Sequence, residues 1–337
     1  MILHPGVISL ITGSFIVTLM MIYSSLLGIK ILNKWDINSS SSGQLSLERR
    51  TYLISTIMNY VLGFVILSAF LFIYTADDIH RLFVGAMCAT GSLNANPVGW
   101  KVLYTKIMVF FIALIWISLN HVDQRAEDYP LVRTKYTILL LITPLVIYDA
   151  YLQFKYFMGL KPNIIVSCCG SLFNEGEGGG VAGSLSSLPI KPMMITFYAM
   201  TGLFLINAVL SLRFQNGFFK YTSALLSPAL FVVSIASIIS FISLYFYEIP
   251  THHCPFDIIQ RDYNFIGYPL YITLFSGLFF GMVVGILEPF KNIASLNTAI
   301  QESQKKWTVL SIVLISIFTI ICSWPIIFSD FTLEGYF

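Results

Sequence analysis

The run WTVLSIVLISIFTIICSWPIIF, Trp307–Phe328, carries no charged side chain in 22 residues. About 20 apolar residues wound as a helix rise roughly 30 Å, which matches bilayer hydrocarbon, and a helix closes its backbone hydrogen bonds within the segment. A stretch of this length and purity is a membrane span. Seven similar runs precede it: Val7–Ile31, Tyr52–Thr75, Val102–Asn120, Tyr136–Phe157, Pro192–Leu212, Tyr221–Tyr247 and Phe265–Leu287. Together they predict an all-α integral membrane protein, a bundle of about eight transmembrane helices forming one polytopic domain over residues 1–337.

Composition points the same way. Of the residues, 56% are hydrophobic and 11% charged, whereas roughly a quarter are charged in a soluble domain. The net charge of +2 is spread thinly. No dense Lys/Arg run suggests nucleic acid or a linear tether to anionic lipid, so the bilayer is the partner composition implies. The chain opens Met1-Ile2-Leu3-His4-Pro5-Gly6 without a basic residue. The first run therefore lacks the n-region of a signal peptide and is expected to stay as a helix.

Lys and Arg set the expected orientation. Lys30, Lys34, Arg49, Arg50, Arg125, Arg133, Lys135, Arg213, Lys220, Lys291, Lys305 and Lys306, 12 of the 19, fall on one side of an eight-helix arrangement. Arg81, Lys101, Lys106, Lys155, Lys161, Lys191 and Arg261 fall on the other. The positive-inside rule then places both termini outside, with a bacterial cytoplasmic (inner) membrane as the expected location. On this arrangement the inner loops, including the Ser-rich linker Asn38–Ser42, read as plain connectors. The outer loops 76–100, 158–191 and 248–264 are longer and concentrate Gly, Pro, Cys and His.

Four of the five cysteines lie in those outer loops: Cys88, the adjacent pair Cys168-Cys169, and Cys254 in His252-His253-Cys254-Pro255-Phe256-Asp257. Cys322 sits inside the last run, where a thiol packs as a small hydrophobe. An oxidising outer compartment favours disulfides, and adjacent cysteines bond poorly to each other. Cys168 and Cys169 are therefore expected to reach Cys88 and Cys254 and staple three loops, or the four sulfurs act as redox thiols. His4, His80, His252 and His253 also fall outside. The sulfurs could equally be soft ligands for copper, zinc or an iron–sulfur cluster, and His80, His252 and His253 could join them around one metal ion at the outer face. A thiol beside imidazoles at a helix end is expected to ionise more easily. The stretch Asp77–Met87 has one polar and one apolar side at helical spacing, and is expected to lie flat on the membrane or to cover a site.

Lys106 and Asp149 fall inside apolar runs at similar depth, where a lone charge costs at least a few kcal/mol, so a pair is expected. With Gln153 one turn beyond Asp149, the same residues could wall a quinone pocket or a proton path. No histidine lies in the middle of a run, so paired axial ligands for intramembrane haem are not available. Vitamin K epoxide reductase enzymes also combine a helical bundle with outer cysteines, but through a C-x-x-C pair that this chain does not have. Quinone-binding subunits of polysulfide-reductase type share its length and helix number without a shared motif. The expected function is a membrane redox protein whose outer Cys/His site exchanges electrons or disulfides with a periplasmic or extracellular partner protein, with a quinone as a further redox partner. A structural subunit anchoring a larger membrane complex, with the cysteines as staples, is one alternative, and a metal or small-solute transporter is another.

Overall fold

The computed structural model describes residues 2–36, 39, 41–161, 165–166 and 188–333. Among these residues the protein is helical, with one isolated bridge, Val84 to Ile165, and no strand. Eight of the described helices are long and apolar enough to cross a membrane. The chain divides into two compact units, Met1–Val166 with Asn292–Ala299 and Ser167–Lys291 with Ile300–Phe337.

The first unit contains α1 (Pro5–Lys34), α2 (Ser42–Asp78), the short α3 (Ala89–Asn94), α4 (Gly99–Asp123) and α5 (Val132–Met158). α1 packs on α2 and α5, and α4 packs on the same two helices, so the four long helices close a ring. Met21, Met58, Trp116, Tyr136 and Leu139 fill its centre. The second unit contains α6 (Ile190–Phe214), α7 (Gly217–Ser237), α8 (Ser243–Tyr247), α9 (Gly267–Ile286) and, from Ile300 onward, α10 (Asn297–Phe328). One wide π turn, Ile238–Ile242, joins α7 to α8. α7 packs against both α6 and α9. Gly285 permits the second contact, because a Cβ there would stand 2.4 Å from the Lys220 carbonyl oxygen.

Large apolar side chains line the outside of both units. Phe15, Leu67 and Leu141 in the first and Leu225 and Val232 in the second are each at least 64% exposed. Water would penalise such surfaces, whereas lipid does not. The helices extend beyond the apolar runs at most ends, because polar residues cap them. His4 accepts the Gly6 N–H ahead of Pro5 at the first position of α1, and Ser41 Oγ accepts the Gln44 N–H at the start of α2. Arg49 and Arg50 consequently lie within α2 instead of a linker.

Two expectations change. Asp77–Met87 forms no surface helix: α2 runs to Asp78, a 3-10 turn follows at Ile79–Leu82, and the chain then extends. Gly85, at φ +86°, turns it, and a Cβ there would strike the Val166 carbonyl oxygen at 2.5 Å. The expected plain connectors are also more than connectors. Asp123 and Lys135, at the facing ends of α4 and α5, form a fully buried ion pair at 2.7 Å. Lys135 also donates to Asn120 Oδ1 at 2.9 Å. In the second unit Lys220 donates to Glu288 Oε2 at 3.0 Å and to Gln304 Oε1 at 2.8 Å, tying α7, the segment after α9, and α10 together. Leaving any of these charges alone would cost several kcal/mol, so their pairing fixes how each helix end meets the next.

Candidate functional site

The segment from Glu248 to Phe265 leaves α8 and returns to α9 through tightly held turns. Glu248, Asn264 and Phe265 take left-handed backbone conformations that end the helical winding. Two tyrosines pin the loop between them. Tyr247 Oη accepts the Ile258 N–H at 3.0 Å and donates to the Cys254 carbonyl. Tyr271, from the second turn of α9, donates to the Pro255 carbonyl. A 3-10 turn, Asp257–Ile259, then swings Asp257 back over Cys254.

The result is a short chain of titratable groups. Cys254 Sγ donates to Asp257 Oδ1 at 3.5 Å. The other carboxylate oxygen, Oδ2, contacts His252 Nε2. The His252 ring packs edge-on against Tyr247, with centroids 4.7 Å apart, and Tyr263 packs on the same tyrosine. Cys254 is 2% exposed and Asp257 7%, while His252 keeps a partly open side. Burial of a carboxylate requires compensation, and here the imidazole and thiol provide it. The thiol was expected to sit beside imidazoles. It faces a carboxylate instead, so the group placed to take its proton is Asp257, with His252 behind it.

His253, the neighbour of His252, points elsewhere. Its Nδ1 bonds the Ile239 carbonyl at 2.8 Å, a carbonyl that lies in the π turn. Widening of a helix by one residue removes its regular i to i−4 bonds locally, and His253 meets one of the carbonyls so affected. Burial holds the His253 pKa below the usual value of 6.5; His252 adds to this, and the Ile239 and Ser240 carbonyls oppose it. Burial raises the Tyr263 pKa, and the charges of Asp257, Asp262 and Cys254 add to it.

The remaining expected site residues are placed as follows. Cys88 is buried in the first unit at the residue preceding α3, and Asp77 Oδ1 accepts the Ala89 N–H that follows it. His80 turns its Nδ1 to the Asp77 carbonyl, and His4 Nε2 meets Asp78 Oδ2 at 2.9 Å. Both residues therefore serve helix ends. Cys168 and Cys169, and the disulfides expected of them, lie outside the described residues, among which no disulfide is formed. Lys106 and Asp149 pair at 2.9 Å, both buried, with Thr105 Oγ1 donating to Asp149 at 3.2 Å. The Lys106 ammonium lies 5.6 Å from the centre of the Phe72 ring. Gln153 donates to the Leu10 carbonyl at 2.9 Å and to Ser14 at 2.7 Å, tying α5 to α1.

Sequence reasoning missed Asp257, Tyr247 and Tyr271 as parts of this site. The spacing Cys254-Pro255-Phe256-Asp257 carried a usable signal for the first, since one tight turn brings residues three apart together. Nothing marked the two tyrosines among 18 in the chain. Comparison with known protein families, characterised proteins and solved structures gives no match.

Proposed function

We propose that this chain is a membrane thiol redox protein in which Cys254 exchanges disulfides at the outer face, with Asp257 as its proton acceptor. The observation that carries the reading is the hydrogen bond from Cys254 Sγ to Asp257, backed by His252 on the second carboxylate oxygen. In this reading both termini and the Cys-bearing loops face outward from a bacterial cytoplasmic membrane, as the 12 to 7 division of Lys and Arg favours.

Because Cys254 and Cys88 are buried, neither suits first contact with a partner protein, and that step falls to Cys168 or Cys169. The entry thiolate attacks the partner's disulfide, forming a mixed disulfide and releasing one partner sulfur as a thiolate. Cys254 then passes its proton to Asp257 and attacks the entry sulfur. The second partner thiolate leaves, the partner has gained two electrons, and the two cysteines of this chain are left joined. Run in reverse the sequence oxidises a partner dithiol, and a membrane quinone is a two-electron carrier suited to restore the oxidised state.

Treating the purified protein with glutathione disulfide and mapping its cysteines by mass spectrometry tests this. The expected product is a disulfide that includes Cys254, and Cys254→Ser should instead accumulate glutathione on Cys168 or Cys169. A Cys254 unchanged by oxidant and reductant alike would overturn it. One observation favours a second reading, a structural subunit of a membrane complex: the 2% exposure of Cys254 within a loop held by two tyrosines. Inert thiols in the same experiment would support that reading. A stoichiometric copper or zinc ion on the purified protein would favour Cys254 and Asp257 as donors of a metal site.

A further inference from the structure

Sequence reading found no linear run of basic residues, but folding gathers several. Where α1 ends and α2 begins, a cavity of about 420 Å³ is lined by Lys30, Lys34 and Arg50, together with Ser41 and Gln44. Lys30 and Lys34 lie four residues apart, one helical turn along α1, and Arg50 reaches the same space from α2. Asp36 is the carboxylate on the wall, so cations outnumber it three to one. Among the described residues, none of the three cations forms a side-chain ion pair or hydrogen bond. The cavity thus holds three like charges against one carboxylate, which costs free energy unless an external anion is present.

The surroundings select among anions. Leu26, one turn before Lys30 and nearer the middle of the span, is 64% exposed, and Leu53, three residues beyond Arg50 in the same sense along α2, is 59% exposed. A basic cavity at the end of two spanning helices, followed by open apolar surface toward the hydrocarbon, matches an amphiphile with an anionic phosphate head and acyl chains. A soluble phosphate would meet the cations but leave the apolar surface unused. We propose that Lys30, Lys34 and Arg50 form a binding site for the headgroup of an anionic phospholipid, whose acyl chains lie along α1 and α2. This site is independent of the thiol chemistry proposed for Cys254.

Native mass spectrometry of the full-length protein in detergent, with added phosphatidylglycerol or phosphatidylcholine, tests the assignment. Both lipids carry a phosphodiester, and only the first is anionic. The wild type is expected to retain phosphatidylglycerol at least tenfold better than phosphatidylcholine. Combined replacement Lys30→Gln, Lys34→Gln and Arg50→Gln should bring the two within about twofold of each other. A control that removes exposed charge elsewhere, Lys305→Gln with Lys306→Gln, should keep the tenfold preference. The inference is overturned if the triple variant keeps the preference, if the control loses it equally, or if inorganic phosphate alone displaces the lipid at equal concentration. All of these side chains are exposed, so the variants are expected to fold, and an unchanged Cys254 labelling rate checks that they do.

Discussion

The Lys106–Asp149 pair in the first unit and the Cys254–Asp257–His252 chain in the second both bury a carboxylate, but they compensate its charge differently. Asp149 is met by a lysine ammonium at 2.9 Å and a threonine hydroxyl at 3.2 Å. Asp257 is met by a thiol and an imidazole instead. The first arrangement holds two helices together, and the second gives the proposed thiol exchange a carboxylate beside the sulfur. Burial of a charge therefore does not by itself mark a working site; the chemistry of the groups that meet it must be read with it.

The largest effect expected from this contrast is on stability. Asp149→Asn leaves the Lys106 ammonium buried without its counter-charge, and should destabilise the protein by about 3–5 kcal/mol. Removing both charges, with Lys106→Met added, should recover much of that loss. Unfolding by titration with dodecyl sulfate in mixed micelles measures both, and additive losses would show that the two residues do not act as a pair. At the second site the same Asp→Asn change should act on rate. Asp257→Asn keeps the shape but removes the proposed proton acceptor, so formation of the Cys254 disulfide in glutathione disulfide should slow by on the order of 100-fold. Equal rates for the variant and the wild type would assign Asp257 a purely structural part.

A smaller effect is expected where the loop is held. Tyr247→Phe leaves the Ile258 N–H and the Cys254 carbonyl without the hydroxyl that bridges them. It should cost about 1–2 kcal/mol, read in the same unfolding titration, and should speed labelling of Cys254 by a small reagent as the loop opens. Labelling that stays at the wild-type rate would mean that the tyrosine does not control access to the thiol.

The sequence made the spans readable because apolar runs of membrane length have few other physical explanations, and it made Lys106 and Asp149 readable because charges within such runs stand out. Their pairing at 2.9 Å follows from the cost of leaving either alone. Lys135, Asp123, Lys220 and Glu288 were not readable, because charges at the ends of apolar runs look like solvated loop residues. Burial there depends on neighbouring helices that no linear pattern shows. The basic cavity was hidden for the same reason, since Lys30 and Arg50 come together only when α1 and α2 fold back on each other. At the thiol site Cys254 and His252 were visible as residue types, while the carboxylate between them depended on a single turn at Asp257–Ile259.

The smallest expected effect tests whether His253 is the part of this loop that does not share its chemistry. Its folded pKa lies below the usual 6.5, chiefly through burial. The unfolded chain therefore takes up the proton first as pH falls, and stability is lost in the window that opens below about pH 6.5 and ends at the folded pKa. Above that window the neutral ring keeps its full contribution. One proton gives a slope of at most about 1.4 kcal/mol per pH unit. His252, adjacent to it, and Asp257, which contacts His252, are also ionisable, so the contribution must be isolated. His253→Gln retains a donor for the Ile239 carbonyl and removes the titration, and it should flatten the stability profile between pH 5 and 7 by up to roughly that slope. The Cys254 exchange rate should keep its wild-type pH profile in this variant, because the bond His253 makes to Ile239 is to the π turn, while His252 is the imidazole on Asp257. A shifted exchange profile would place His253 in the proton path with His252, and an unchanged stability profile would show that its burial carries no linked proton.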